Sequence, residues 1–84
     1  MTPEVAYTRR AQAMLRAVVA GRAQVSCSCE PDLFIDGVSC GDQFTAHALA
    51  HAGLITASRL AAIGQRVPAA LTPAGLAALA DRAA

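Results

Sequence analysis

Eighty-four residues with a formal charge of +1 suit one small domain and supply no global field that would draw the chain to nucleic acid. Apolar residues make up 55% of the chain, but about a quarter of it is Ala, so Leu, Ile, Val, Tyr7, Met14, Phe34 and Phe44 must fill the core. No apolar run approaches the ~20 residues that span a bilayer, and Met1-Thr2-Pro3-Glu4 lacks the basic and apolar regions of a secretory signal. A cytoplasmic, non-membrane protein is therefore expected, with its three cysteines held as thiols.

Thr2-Pro3-Glu4 reads as a helix start, with a hydroxyl cap, Pro at the first helical position and an acid near the positive end. Tyr7, Ala11, Met14, Leu15, Val18 and Val19 fall on one face of that helix, Arg9, Gln12 and Arg16 on another, and Gly21 stops it. From Ala23 to Cys29 the period shortens to two: Val25, Cys27 and Cys29 alternate with Gln24, Ser26 and Ser28, a half-buried strand. Pro31 then opens a short helix through Phe34 and Ile35, and Asp36-Gly37 is a turn. Gly41-Asp42 caps a helix over 43–52. Thr45, Ala46, Leu49, Ala52 and Gly53 lie on one face of it, and Gln43, Phe44, His47 and His51 on the other. Leu54 to Ala57 and Arg66 to Leu71 form a hairpin with Gly64 in the bend, and Pro68, lacking a donor, marks an edge strand. Thr72 and Pro73 open the last helix, where Leu76, Leu79 and Ala80 give the buried stripe and Leu71 packs on Leu76. Residues 1–84 form a single domain.

The expected order is α-β-α-α-β-β-α, mostly helical with a small antiparallel sheet: an α+β domain. Leu49 precedes Gly53-Leu54-Ile55 by four residues to its Gly, and Leu71-Thr72-Pro73-Ala74-Gly75 opens the closing helix. On these motifs the chain resembles the winged helix-turn-helix superfamily, including regulators of the MarR and ArsR types, over roughly residues 8 to 82. It also resembles small winged-helix proteins of actinobacteria and their phages, which share its Ala- and Arg-rich, Lys-poor style.

The resemblance implies a dimeric transcriptional regulator that places helix 43–52 in the major groove of double-stranded DNA. Gln43, His47 and His51 would then reach base edges, Arg59 and Arg66 would meet phosphates or the minor groove from the wing, and Arg9 or Arg10 would add backbone contacts. Other features point elsewhere. Helix 43–52 has no Arg or Lys, Glu30, Asp32, Asp36 and Asp42 crowd the approach to it, and Phe44 and the run Leu60 to Ile63 are apolar. A protein-interaction module using Phe44, Leu60 and Ile63 is thus the second reading. The third is a thiol or metal sensor. Cys27-Ser28-Cys29 resembles the ArsR-type Cys-x-Cys signature, and Cys40 and His47 would complete a zinc-type ligand set. Against it, Cys-x-Cys on a strand also serves as two core thiols, so no metal or other cofactor is assigned. No phosphate loop or nucleophile elbow is present, and His47-Ala48-Leu49-Ala50-His51 lacks the Glu of a zinc hydrolase. No catalytic residue is assigned and an enzyme is not expected.

Overall fold

The computed structural model describes residues 8–83. Its elements run α1 (Arg9–Val19), β1 (Ala23–Ser26), β2 (Leu33–Ile35), β3 (Val38–Ser39), α2 (Gln43–His51), β4 (Ile55–Ala57), β5 (Arg66–Leu71) and α3 (Pro73–Ala83). The strands form one antiparallel sheet in the order β3-β2-β1-β5-β4, making a small α+β domain.

The helix starts and stops follow local chemistry. Thr8 caps α1 by accepting from the Ala11 amide at 3.1 Å, while the start expected at Thr2-Pro3-Glu4 and the contact expected of Tyr7 lie outside the described residues. Ala11, Met14, Leu15, Ala17 and Val18 are buried along α1, whereas Val19 turns outward at 57% exposure. At its end Gly21 takes a φ of +78, its amide donates to Val18 and the Arg22 amide donates to Ala17. That pair of reversed hydrogen bonds is a Schellman stop. Helix α2 ends the same way: Gly53 has a φ of +76 and donates to Ala50, and the Leu54 amide donates to the Leu49 carbonyl. Leu49 and Leu54 are both buried and close the motif with an apolar contact.

The expected order fails between Pro31 and Ser39. No helix forms there; β2 and β3 pair instead, with Ile35 opposite Val38 and Phe34 opposite Ser39. The two residues between them, Asp36 and Gly37, have φ of +54 and +81, the left-handed backbone of a tight hairpin whose twist matches its strands. Arg22 clasps the turn with two hydrogen bonds to Asp36, at 3.1 and 2.7 Å, and its guanidinium holds that carboxyl below its usual range. The observed order is therefore α-β-β-β-α-β-β-α.

Pro68 also departs from expectation, since β5 is internal and lies between β1 and β4. The Pro68 carbonyl accepts from the Ser58 amide at 2.9 Å, which points the residue's polar backbone side toward β4. That bond sets Ser58 opposite Pro68, one residue past the end of β4 at Ala57, so the return bond that Pro cannot donate is missing at the end of the β4 ladder and not within it. The sheet's inner face carries Ala23, Val25, Leu33, Ile55, Val67 and Ala69 into the core, where they meet Ala11, Met14, Leu15 and Val18 of α1 and Ala46 and Leu49 of α2.

Helix α3 seats on the α2–β4 junction. The Thr72 amide donates to the Leu54 carbonyl at 3.1 Å, the Thr72 hydroxyl donates to the Gly53 carbonyl, and the Gly75 amide donates to that hydroxyl at 3.0 Å. Gly75 is buried so closely that a Cβ there would lie 2.1 Å from the Leu54 oxygen. The inward stripe is consequently Gly75, Ala78 and Leu79, and Leu76, expected inside, is 52% exposed.

Candidate functional site

Four of the candidate residues, Gln43, Phe44, His47 and His51, lie on α2. Asp42 caps the helix, accepting from the Thr45 amide at 3.0 Å and the Thr45 hydroxyl at 2.6 Å, and it pairs with Arg10 of α1 at 2.9 Å. These contacts, the Thr45 hydroxyl foremost, lower its carboxyl to about 2. The cap fixes where α2 begins and ties that end to α1.

Gln43, the first helical residue, turns back onto the sheet. Its Oε1 accepts from the Leu33 amide at 2.9 Å, and its Nε2 donates to the Leu33 carbonyl and the Cys40 carbonyl, each at 2.9 Å. The Cys40 amide already donates to the Leu33 carbonyl at 2.9 Å, so Gln43 joins the end of the β2–β3 ladder and gives the Leu33 amide its partner. A primary amide suits the task because it offers a donor and an acceptor in the spacing of a peptide group.

One turn along, His47 lies between two carboxylates of the β1–β2 loop: Nδ1 is 3.1 Å from Glu30 and Nε2 is 2.9 Å from Asp32. His51 reaches the other oxygen of Glu30 at 2.7 Å through its Nε2. The loop is itself closed by Ser26, whose hydroxyl accepts from the Asp32 amide at 2.9 Å and whose amide donates to the Asp32 carbonyl at 3.0 Å. The three side chains expected to read base edges, Gln43, His47 and His51, are thus all bonded within the protein. Glu30 and Asp32 were legible only as acids opposing phosphate; their pairing with the histidines spans 15 to 21 positions and leaves no local signal.

The apolar candidates behave differently. Phe44 is 85% exposed, and Leu60 and Ile63 in the β4–β5 loop are 99% and 91% exposed. Arg59 is exposed on the same loop. Arg66 lies over the Phe34 ring with its guanidinium carbon 4.4 Å from the centroid, a cation–π contact on the sheet face away from the helices. Cys29 is exposed, whereas Cys27 and Cys40 are half-buried against the core. Among the described residues no group of three His, Cys, Asp or Glu side chains is arranged to hold a metal ion. The imidazole of His47 explains this for its own cluster, because its two nitrogens face different carboxylates on opposite edges of the ring and do not converge on one point. No described helix is long and apolar enough to cross a membrane.

No family model matches the chain, and searches of curated proteins and of solved structures return no match.

Proposed function

We propose that this chain is a protein-interaction module of winged-helix type, with the first helix of the helix-turn-helix replaced by the β2–β3 hairpin. The order α1, α2, β4–β5 hairpin, α3 supports the architectural part of this reading. One contrast carries the functional part. Gln43, His47 and His51 are occupied by β2 and by the β1–β2 loop, while Phe44, Leu60 and Ile63 present bare apolar surface. A groove-reading helix needs free polar side chains and cations, whereas an anchor for a protein pocket needs exposed bulk of this kind. A transcriptional regulator that reads DNA would have to break these internal contacts first, and of its expected arginines Arg10 is paired with Asp42 and Arg66 lies on Phe34, while Arg9 and Arg59 are exposed.

The test places a photo-cross-linking residue at Leu60 or Phe44 in the source cell, with exposed Arg16 of α1 as the control position. A discrete protein adduct from the first two sites and none from the control is expected, and an adduct to a second copy would identify the partner as this chain itself. Salt-sensitive binding to a mixed-sequence duplex, abolished by Gln43→Ala with His47→Ala and unaccompanied by any protein adduct, would overturn the reading in favour of DNA.

A further inference from the structure

We infer that Asp36-Gly37 is a latent self-modification site, at which the Gly37 nitrogen can capture the Asp36 side-chain carboxyl, and that the clasp of Arg22 keeps it silent. The reaction needs only the chain and water. The Gly37 nitrogen attacks Cγ of Asp36, a new C–N bond forms, and the carboxyl hydroxyl leaves with the amide hydrogen as water. Water then reopens the five-membered imide at either carbonyl. One opening returns Asp36, and the other leaves an isoaspartyl link whose main chain runs through Cβ and Cγ. The water lost in closing the ring is regained in opening it, so no oxidant or co-reactant enters.

The turn supplies the nucleophile, and Arg22 withholds the electrophile. Gly37 is exposed and has no Cβ to crowd its nitrogen, and among the described residues its amide donates to no acceptor. The Asp36 side chain is 59% exposed, so water reaches both the carboxyl and the imide. That carboxyl accepts two hydrogen bonds from one guanidinium, Oδ1 from Nε at 3.1 Å and Oδ2 from Nη2 at 2.7 Å. The Arg22 carbonyl also accepts from the Asp36 amide at 2.9 Å, so one residue grips both backbone and side chain. Attack requires Cγ to swing over the Gly37 nitrogen and one oxygen to leave as a protonated hydroxyl. The fork opposes both: it fixes the side chain's rotation, and its hydrogen bonds hold the carboxyl below its usual range. An exposed clasp still opens for part of the time, so it slows the reaction by a modest factor.

The product would not fit the hairpin. An isoaspartyl link adds one carbon to the main chain, and a two-residue turn that sets the register has no slack for it. Ile35 would lose Val38 as its partner, while Gln43 still anchors Leu33. The site uses none of Phe44, Leu60 or Ile63, so it stands apart from the interaction reading.

The experiment incubates the full chain at about pH 7 and 37 °C. Isoaspartate at position 36 is followed by peptide mapping with electron-transfer fragmentation, in the wild type, Arg22→Gln, Arg22→Lys and Gly75→Ala. Arg22→Gln should isomerise about twofold to fivefold faster than the wild type, the range an exposed ion pair is worth. Arg22→Lys, which keeps the charge but loses the fork, should fall between them. Salt at about 1 M, which shortens the screening length to ~3 Å, should accelerate the wild type and leave Arg22→Gln unchanged. Gly75→Ala perturbs the packing beside β4, at the opposite edge of the sheet from the turn, and should keep the wild-type rate. Equal rates in the wild type and Arg22→Gln, including no isoaspartate in either, would overturn the inference. A Gly75→Ala rate raised as much as that of Arg22→Gln would overturn it too, because the reaction would then run through global unfolding.

Discussion

Gly75→Ala isolates the seating of α3 from its helix propensity. In an exposed helical position Gly→Ala stabilises by about 0.8–1 kcal/mol. At Gly75 the added Cβ would lie 2.1 Å from the Leu54 oxygen and 3.0 Å from its carbonyl carbon, both backbone atoms that have no rotamer to move to. The first turn of α3 must therefore lift by roughly an ångström, and overpacking of this kind costs about 1–3 kcal/mol. Lifting also stretches the hydrogen bond from the Thr72 amide to the same Leu54 oxygen, now 3.1 Å, a further loss of about 1 kcal/mol. With the propensity gain subtracted, the variant should be less stable by about 1–3 kcal/mol. Urea denaturation at 25 °C measures this directly, and a 2 kcal/mol loss corresponds to a fall in Tm of roughly 8–16 °C for a domain of this size. Ala77→Gly, at an exposed position of the same helix, is the control and should cost about 1 kcal/mol through propensity alone. A Gly75→Ala protein as stable as the wild type would refute the close approach of α3 to the α2–β4 junction.

Gln43→Ala should lower stability by roughly 1–3 kcal/mol in the same assay, because the Leu33 amide loses its partner, while the Leu33 carbonyl keeps the Cys40 amide. Gln43→Glu should fail to rescue it, since a carboxylate cannot donate to the Leu33 and Cys40 carbonyls. Asp42 has its carboxyl lowered from 3.8 to about 2 by Thr45 and Arg10, so its contribution is present above pH 4 and is lost as pH falls toward 2. Asp42→Asn should therefore show a flatter acid limb than the wild type when stability is followed by urea denaturation between those values. Gly37→Ala, at a φ of +81 in the β2–β3 turn, should cost about 1 kcal/mol in left-handed backbone strain, read as an equal shift in unfolding free energy.

Features that depend on a few neighbouring residues were legible in the chain itself. Gly21 ends α1, Asp42 caps α2, Thr72 and Pro73 open α3, and Asp36-Gly37 turns, because each acts through hydrogen bonds or φ preferences inside one short segment. The Leu49…Gly53-Leu54 motif belongs with them: its spacing is that of a Schellman stop with its apolar closure, a device many helices share, so it speaks for a helix end more than for a family. Features that depend on register were decided only in three dimensions. Leu33-Phe34-Ile35 becomes a strand because β1 and the Asp36-Gly37 turn present it with partners on both sides. Pro68 sits inside the sheet because its missing donor falls at the end of the β4 ladder, where only the Ser58 amide bonds to it. Gln43 and His47 have the residue types of a groove reader, but their partners lie 10 and 15 positions away. A side chain's type limits what it can bond, while the fold chooses which distant backbone group or carboxylate stands within 3 Å of it.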